Sequence, residues 1–250
     1  MTYLFSAANR DLLEMFAWSN VLLAFDYDGT LAPLVSPSKR SVMRPSTRRL
    51  LKRTSTLYPC VAISGRAPAD ALASLRGVEN CRLVGNHGSG PHWGGQTLRR
   101  RVQQWLPALT ARLSRFRGVM VEDNGLSLAV HYRRARERSA ARRAILSAAR
   151  SLDDVRIIGG RLVVSLLVPN APHKGLALER ECSHFACDTV IYVGDDDTDE
   201  DVFQLDRPGR LLSIRVGQKR TSAAPYYIRN QIEIDKLLQA LIALREHRHG

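Results

Sequence analysis

Four cysteines, Cys60, Cys81, Cys182 and Cys187, are all that this 250-residue chain contains, and no two of them form a CxxC pair. That spacing excludes a structural zinc finger and a thioredoxin-like redox motif, leaving buried free thiols as the reading. Long apolar runs are missing too: none approaches the roughly 20 residues of a membrane-spanning helix. The first 20 residues lack a basic start, an unbroken apolar stretch and a small-residue cleavage site. A mature chain without a membrane partner, located in the cytoplasm, is therefore expected. Internal repeats and low-complexity tracts are absent. What remains is 44% hydrophobic and 24% charged, the composition of a globular protein long enough for one large domain or a core carrying an insert.

Lysine is scarce, with five residues against 32 arginines, and the net charge of +13 is unevenly spread. Between Thr97 and Asn170 there are 15 arginines and five acids, a surplus of 10 that leaves little for the rest of the chain. A nucleic-acid surface, a funnel for anionic substrates and plain solvated helix faces all fit such a bias. In "RRARERSAARRAILSAAR" the arginines keep helical spacing opposite Ala, Ile and Leu. No aromatic residue is interleaved with them, which argues against nucleic acid as partner.

Short apolar runs alternate with helical patterns. Strands are expected at Val21–Phe25, Cys60–Ile63, Arg82–Val84, Thr189–Val193 and Leu211–Val216. Helices are expected near Asn9–Trp18, Pro45–Leu57, Pro68–Arg76, Lys174–Ala186 and Thr198–Leu205, with another over the C-terminal "IEIDKLLQALIALREH". Such alternation specifies an α/β fold with a parallel sheet covered on both faces. The middle reads differently: a helix near Leu98–Arg117, strands at "VMVE" and "LSLAVHYR" around an Asn124-Gly125 hairpin signal, the arginine helix, then strands at "VRII" and "LVVSLLV". The expected organisation is an α/β core over 1–92 and 171–250, interrupted by an α+β insert over 93–170.

In open α/β sheets ligands bind beyond the carboxyl ends of the strands, and here those ends carry unusual polar groups. The first strand ends in Asp26 and Asp28, the second in Ser64-Gly65-Arg66, the third in "GNHG" with His87 and Gly88, and the fourth in "GDDDTDED" from Gly194 to Asp201. Gathering Asp26, Asp28 and Asp195 is costly unless a cation lies among them. A hard oxygen donor set without His or Cys points to Mg²⁺ together with a phosphate-bearing substrate. A carboxylate oxygen left free could then attack phosphorus, and the second aspartate could shuttle the proton. Ser64, the amide of Gly65 and a lysine would bind the other phosphoryl oxygens. Lys174 in "PHKG" is the candidate, although alone it reads equally as a surface lysine at a helix start.

"DYDGTL", "SGR", "HKG" and "GDDDTDED" resemble, in order, the four motifs of the haloacid dehalogenase superfamily. The insert lies between the second and third, where the type 2 (C2B) cap of that superfamily sits on its Rossmannoid core. More closely, "DYDGTLAPL", "ISGR", "GNHG", "VHYR", "VGDDDTDEDVF" and "VGQKRTSAAPYYI" resemble trehalose-6-phosphate phosphatases over about Val21 to Leu241. The resemblance implies Asp26 as nucleophile and Asp28 as general acid/base. It implies Mg²⁺ on the Asp26 carboxylate, the Asp28 carbonyl and Asp195, with Asp199 auxiliary and Asp196 less central. Ser64 and Lys174 would hold the phosphoryl group. Gly65, Arg66, His87 and Gly88 would line the sugar side, and Glu122, His131 and Arg133 would recognise sugar from the cap. For Glu122, His131, Arg133 and His87 a plain surface or loop role fits the sequence equally well.

The resemblance also implies trehalose 6-phosphate as substrate and a trehalose-6-phosphate synthase as pathway partner. Two departures from the family pattern concern the sugar: Asn124 stands where the cap motif carries lysine, and Ser165-Leu166 where the later cap strand carries glutamate. A phosphatase for sucrose phosphate or for a mannosyl- or glucosyl-phosphoglycerate, a phosphohexomutase, and a catalytically silent regulatory module are the rival expectations.

Overall fold

The computed structural model describes residues 1–34, 41–66, 72–88, 95–160, 162–169, 171–205 and 207–247, without the side chain of His87. The first half of the core contains β1 (Thr2–Tyr3), α1 (Arg10–Trp18), β2 (Val21–Phe25), α2 (Pro45–Leu57), β3 (Cys60–Ile63) and β4 (Cys81–Val84). The insert follows with α3 (Gly95–Leu113), β5 (Met120–Asp123), β6 (Ser127–His131), α4 (Arg138–Arg150), β7 (Arg156–Gly160) and β8 (Val163–Leu167). The core then resumes with α5 (Lys174–His184), β9 (Thr189–Gly194), α6 (Glu200–Phe203), β10 (Leu211–Val216), β11 (Tyr226–Ile228) and α7 (Ile234–His247). Residues 92 and 93, the expected first boundary, and Asn170 at the second lie outside the described residues, as does much of the expected Pro68–Arg76 helix.

The large sheet is parallel throughout, in the order β1-β11-β10-β9-β2-β3-β4. Its internal strand β2 is buried at every position, which is why it reads as an unbroken apolar run and not an alternating one. The alternation persists in the packing. Val21, Leu23 and Phe25 join Leu13, Phe16, Leu51 and Leu237 on the side of α1, α2 and α7. Leu22 and Ala24 join Ala177, Leu178 and Phe203 on the side of α5 and α6.

After β2 the chain proceeds outward to β3 and β4, and on its return it lays β9 on the other flank of β2. The crevice between β2 and β9 is thus the switch point of the sheet. In-register pairing of Phe25 with Val193, and of Val193 with Ile214, brings the strand ends to one rim. The strands β1 and β11 were not expected; they are two and three residues long and pair Tyr3 with Tyr227, with β1 at the edge and β11 between it and β10. The expected Thr198–Leu205 helix is instead a 3₁₀ turn, Asp197–Asp199, followed by the short α6.

The insert forms a separate antiparallel sheet, β5-β6-β8-β7. Both of its helices cover one face: Val102, Trp105 and Leu109 of α3 and Ile145 of α4 pack on Leu128, Val130, Val164 and Leu166. The period of two then places Glu122, Ala129, His131 and Ser165 on the opposite face. At the hairpin, Gly125 and Leu126 are the central residues, closed by Asn124 N–H donating to Ser127 O at 3.0 Å. Only Gly125 is left-handed, with φ +84°, so the turn has glycine first, as in type II′. Among the described residues no helix is long and apolar enough to cross a membrane.

Candidate active site

The end of β2 delivers Asp26 into the crevice, its amide donating to Val193 O at 2.8 Å. The carboxylate is only 5% exposed. Lys174, the first residue of α5 and itself 2% exposed, lies against it and is no surface lysine. Its Nζ donates to Asp26 Oδ1 and to Asp199 Oδ1, each at 2.7 Å. Tyr192 Oη also donates to Asp199 Oδ1 at 2.7 Å, and the Asp196 amide donates to Asp199 Oδ2 at 2.8 Å. Asp199 therefore accepts three hydrogen bonds and shares the Lys174 ammonium with Asp26.

The acidic loop after β9 has six acids, and their partners separate them. Asp196 caps its own 3₁₀ turn through the Asp197 amide. Asp197 pairs with Lys219, Glu200 with Arg215, and Asp201 with Arg156 of the insert. Asp195 differs: its Oδ1 is buried with no hydrogen-bond partner among the described residues. Gly29, at φ +90°, lies so close to this carboxylate that a side chain there would fall within it. Asp26, Asp195 and Asp199 can each place a ligand oxygen within 4.8 Å of the others.

The energetics follow from that crowding. Burial pushes the Asp26 carboxyl up to about 7, against the pull of Lys174 and helped by Asp199 and Asp28. Burial, then Asp26 and Asp199, holds Asp195 well above the ordinary carboxylate range. Asp196 rises to about 6, chiefly through burial. For Lys174 burial acts downward, but Asp199 and Asp26 outweigh it and keep the ammonium well above its usual value. Carboxylates in this condition bind either protons or a cation. An orphaned, buried carboxylate oxygen in an all-oxygen donor set fits a hard divalent ion such as Mg²⁺.

Asp28 is turned toward Arg66, which grips it with Nε to Oδ2 at 2.6 Å and Nη2 to Oδ1 at 2.5 Å. The guanidinium also lies over the Tyr27 ring at 5.1 Å and donates to Ser74 Oγ at 3.1 Å. Ser64 is buried at the end of β3, where its Oγ accepts from the Arg66 amide at 3.2 Å; Gly65 lies between the two. Gly88 packs on the start of α5, its carbonyl accepting from Arg180 at 2.8 Å. The side chain of His87 lies outside the described residues.

On the open face of the insert, Glu122 and His131 form a pair at 2.6 Å. That hydrogen bond lowers the Glu122 carboxyl, and the charge of Arg66 adds to the effect, so the face is electrostatically within reach of the core. Glu122, Ala129 and Ser165 are register partners across three strands. Leu166 instead is buried among the cap helices, so Ser165 alone presents its side chain on this face. Asn124 is in the hairpin loop, and Arg133 is half-buried just after β6. The cap meets the acidic loop through β7: a Cβ on Gly160 would come within 2.8 Å of the Asp196 carboxylate.

Geometry and sequence now converge. The family model described as trehalose-phosphatase matches residues 24–231 of the 250. The chain belongs to the trehalose-phosphatase family. It is accordingly a phosphoric monoester hydrolase. It is 29% identical to trehalose 6-phosphate phosphatase RA3 of Zea mays over 262 residues, covering 92% of this chain and 72% of the maize protein. Its fold is similar to that of the C-terminal domain of the C. albicans trehalose-6-phosphate phosphatase, with a TM-score of 0.82 at 22% identity over 94% of this chain and 98% of that one. A Synechocystis sucrose-phosphatase, solved with sucrose and phosphate, is similar at a TM-score of 0.58 and 15% identity, over 90% and 98% of the two chains. At these identities the two solved structures bear on the fold alone, an α/β core with a smaller cap.

Around the candidate site of this trehalose-phosphatase-family chain, sequence reasoning missed Tyr192, Arg215 and Glu200. Arg215 left a usable signal: a charged residue inside the apolar run "LLSIRV" must find a buried partner if that strand is internal. Tyr192 in "TVIYVG" left none, because an apolar core explains a tyrosine there equally well.

Proposed function

We propose that this chain hydrolyses trehalose 6-phosphate to trehalose and inorganic phosphate in a Mg²⁺-dependent reaction through an aspartyl-phosphate. The observation that carries the reading is the Asp26 carboxylate, buried at the switch point beside Lys174 and grouped with Asp195, whose Oδ1 has no hydrogen-bond partner among the described residues. Asp26 would attack phosphorus through a carboxylate oxygen, forming the acyl phosphate and breaking the bond to the sugar oxygen. Asp28 would give that leaving oxygen a proton, then take one from the water that cleaves the acyl phosphate. Lys174 and Ser64, with the Gly65 amide, would bind the phosphoryl oxygens. Asp26, Asp195 and the Asp28 carbonyl would hold Mg²⁺, with Asp199 orienting Lys174. The ion, when bound, offsets the charge of the carboxylates and of the phosphoryl group.

The sugar would sit between the core rim and the open cap face, within reach of Glu122, His131, Arg133, Arg66, His87 and Gly88. Segments 1–92 and 171–250 would act as the core and 93–170 as a cap whose closure excludes bulk water. A trehalose-6-phosphate synthase in the same cytoplasm would supply substrate. Asn124 and Ser165 favour a second reading, in which the cap accepts another sugar phosphate such as sucrose phosphate. Phosphate release across a panel of sugar phosphates, with and without Mg²⁺ and beside an Asp26→Asn control, tests both. Turnover of trehalose 6-phosphate lost in the control supports the first reading. Turnover confined to other sugars overturns it, and release of almost no phosphate under a bisphosphorylated activator would indicate a mutase.

A further inference from the structure

Arg215 occupies the next-to-last position of β10, in register with Gly194, where β9 gives way to the acidic loop. It is 5% exposed and lies outside the groups proposed above to touch substrate or metal. Its Nη2 donates to Asp195 O at 2.5 Å, and its Nη1 donates to Asp196 O at 3.2 Å and to Glu200 Oε1 at 2.9 Å. The Asp197 carboxylate is 3.9 Å away. Glu200 is fixed in turn, because its Oε2 accepts from the Ala223 amide at 2.9 Å. One guanidinium therefore holds two successive carbonyls of the loop, while its charge faces the acids crowded there.

This grip has a geometric consequence. With Asp195 O held on the Arg215 side and the Asp196 amide committed to Asp199 Oδ2, the backbone around Asp195 has little freedom left. The direction of its side chain is then set, and that direction leads to the cluster with Asp26, where Oδ1 remains without a partner. Within the metal-dependent reading proposed above, we infer that Arg215 is a positioning residue for the divalent-cation site: by holding the Asp195 and Asp196 carbonyls, it aims the Asp195 carboxylate at the ion. Lys219 on Asp197 supports the same loop from the side, but it touches neither carbonyl and so cannot replace the guanidinium.

Mn²⁺ binding to the full chain, followed by electron paramagnetic resonance with Mg²⁺ as competitor, tests this without reference to turnover. Groups behind a metal's ligands change affinity by about 10-fold or more when removed. Arg215→Met is expected to weaken Mn²⁺ binding by about that factor, and Arg215→Lys, which can reach one carbonyl, by about threefold. The substrate KM at saturating metal should stay within about twofold of wild type, since uniform substrate binding is untouched. A merely structural role would lower the melting temperature and leave metal affinity in place. Either variant, folded by circular dichroism yet binding Mn²⁺ as tightly as wild type, overturns the inference. If Arg215→Met does not fold, Arg215→Lys decides alone. A wild-type protein that binds Mn²⁺ but hydrolyses no sugar phosphate would sink the proposed function and leave this inference intact; one that binds no divalent ion would sink both.

Discussion

Lys174→Met removes the cation shared by Asp26 and Asp199 and leaves two carboxylates buried without it. Truncating one member of a buried ion pair costs about 3–5 kcal/mol. In a chain of this length each kcal/mol lowers the melting temperature by about 2–4 °C, so the variant should melt about 6–20 °C below wild type near neutral pH. The sign of the pH dependence follows from the same contacts. Lys174 has a raised pKa, so its ammonium is present throughout the neutral range, below its ordinary 10.5 and not lost until higher pH. Asp26 already titrates near 7 with Lys174 beside it, and losing that cation raises it further. Lowering the pH then protonates the stranded carboxyl and removes most of the penalty. The deficit of the variant should be large at about pH 8 and much smaller at about pH 5. Thermal unfolding of both proteins in chelator, followed by circular dichroism at the two pH values, measures it. A variant that melts within about 2 °C of wild type at the higher pH, or one equally impaired at both, refutes the account of Lys174 as a buried counter-ion.

Two further outcomes are expected. Because Asp26, near 7, and Asp196, near 6, lie above the ordinary 3.8, the metal-free folded state loses stability as pH rises through that window. The gain in melting temperature from millimolar Mg²⁺ should therefore widen from about pH 5 to about pH 7.5; a gain that is constant or shrinks would contradict the site. At the cap, Gly160→Val forces a side chain against the Asp196 carboxylate. It should lower kcat/KM for trehalose 6-phosphate by about 10-fold while a small aryl phosphate changes by less than about twofold. Equal losses on both substrates would show that the cap does not act through this contact.

How much of this was legible beforehand depended on whether the signal was local. The apolar run Val21–Phe25 announced a strand buried on both faces, and the helix over Pro45–Leu57 was readable from its own spacing. Asp26 and Asp195 could be selected because the ends of parallel strands share one rim, so a polar group at each end implies a meeting place, whereas Lys174, at a helix start, could be chosen only because a phosphate site calls for a cation and the family motif carries a lysine there. The strands Thr2–Tyr3 and Tyr226–Ile228 were not readable, since two or three residues have no periodicity and become strands only by pairing with a neighbour, the first on the second and the second on Leu211–Val216.

The sequence by itself determined the alternation of elements, the interruption by a cap and the chemistry of the strand ends, because period and residue type are properties of neighbours along the chain. Tertiary structure alone decided which acid is paired and which is orphaned: Asp201 belongs to the cap's Arg156, Glu200 to Arg215 and Asp199 to Lys174, while Asp195 keeps a free oxygen. It also decided that Arg66 grips Asp28 and that Ser165, not Leu166, faces the open side of the cap. The physical reason is that a carboxylate's role is set by the charges and donors within a few ångströms of it, and here these charged partners come from other elements, 15 to 45 positions away in the chain.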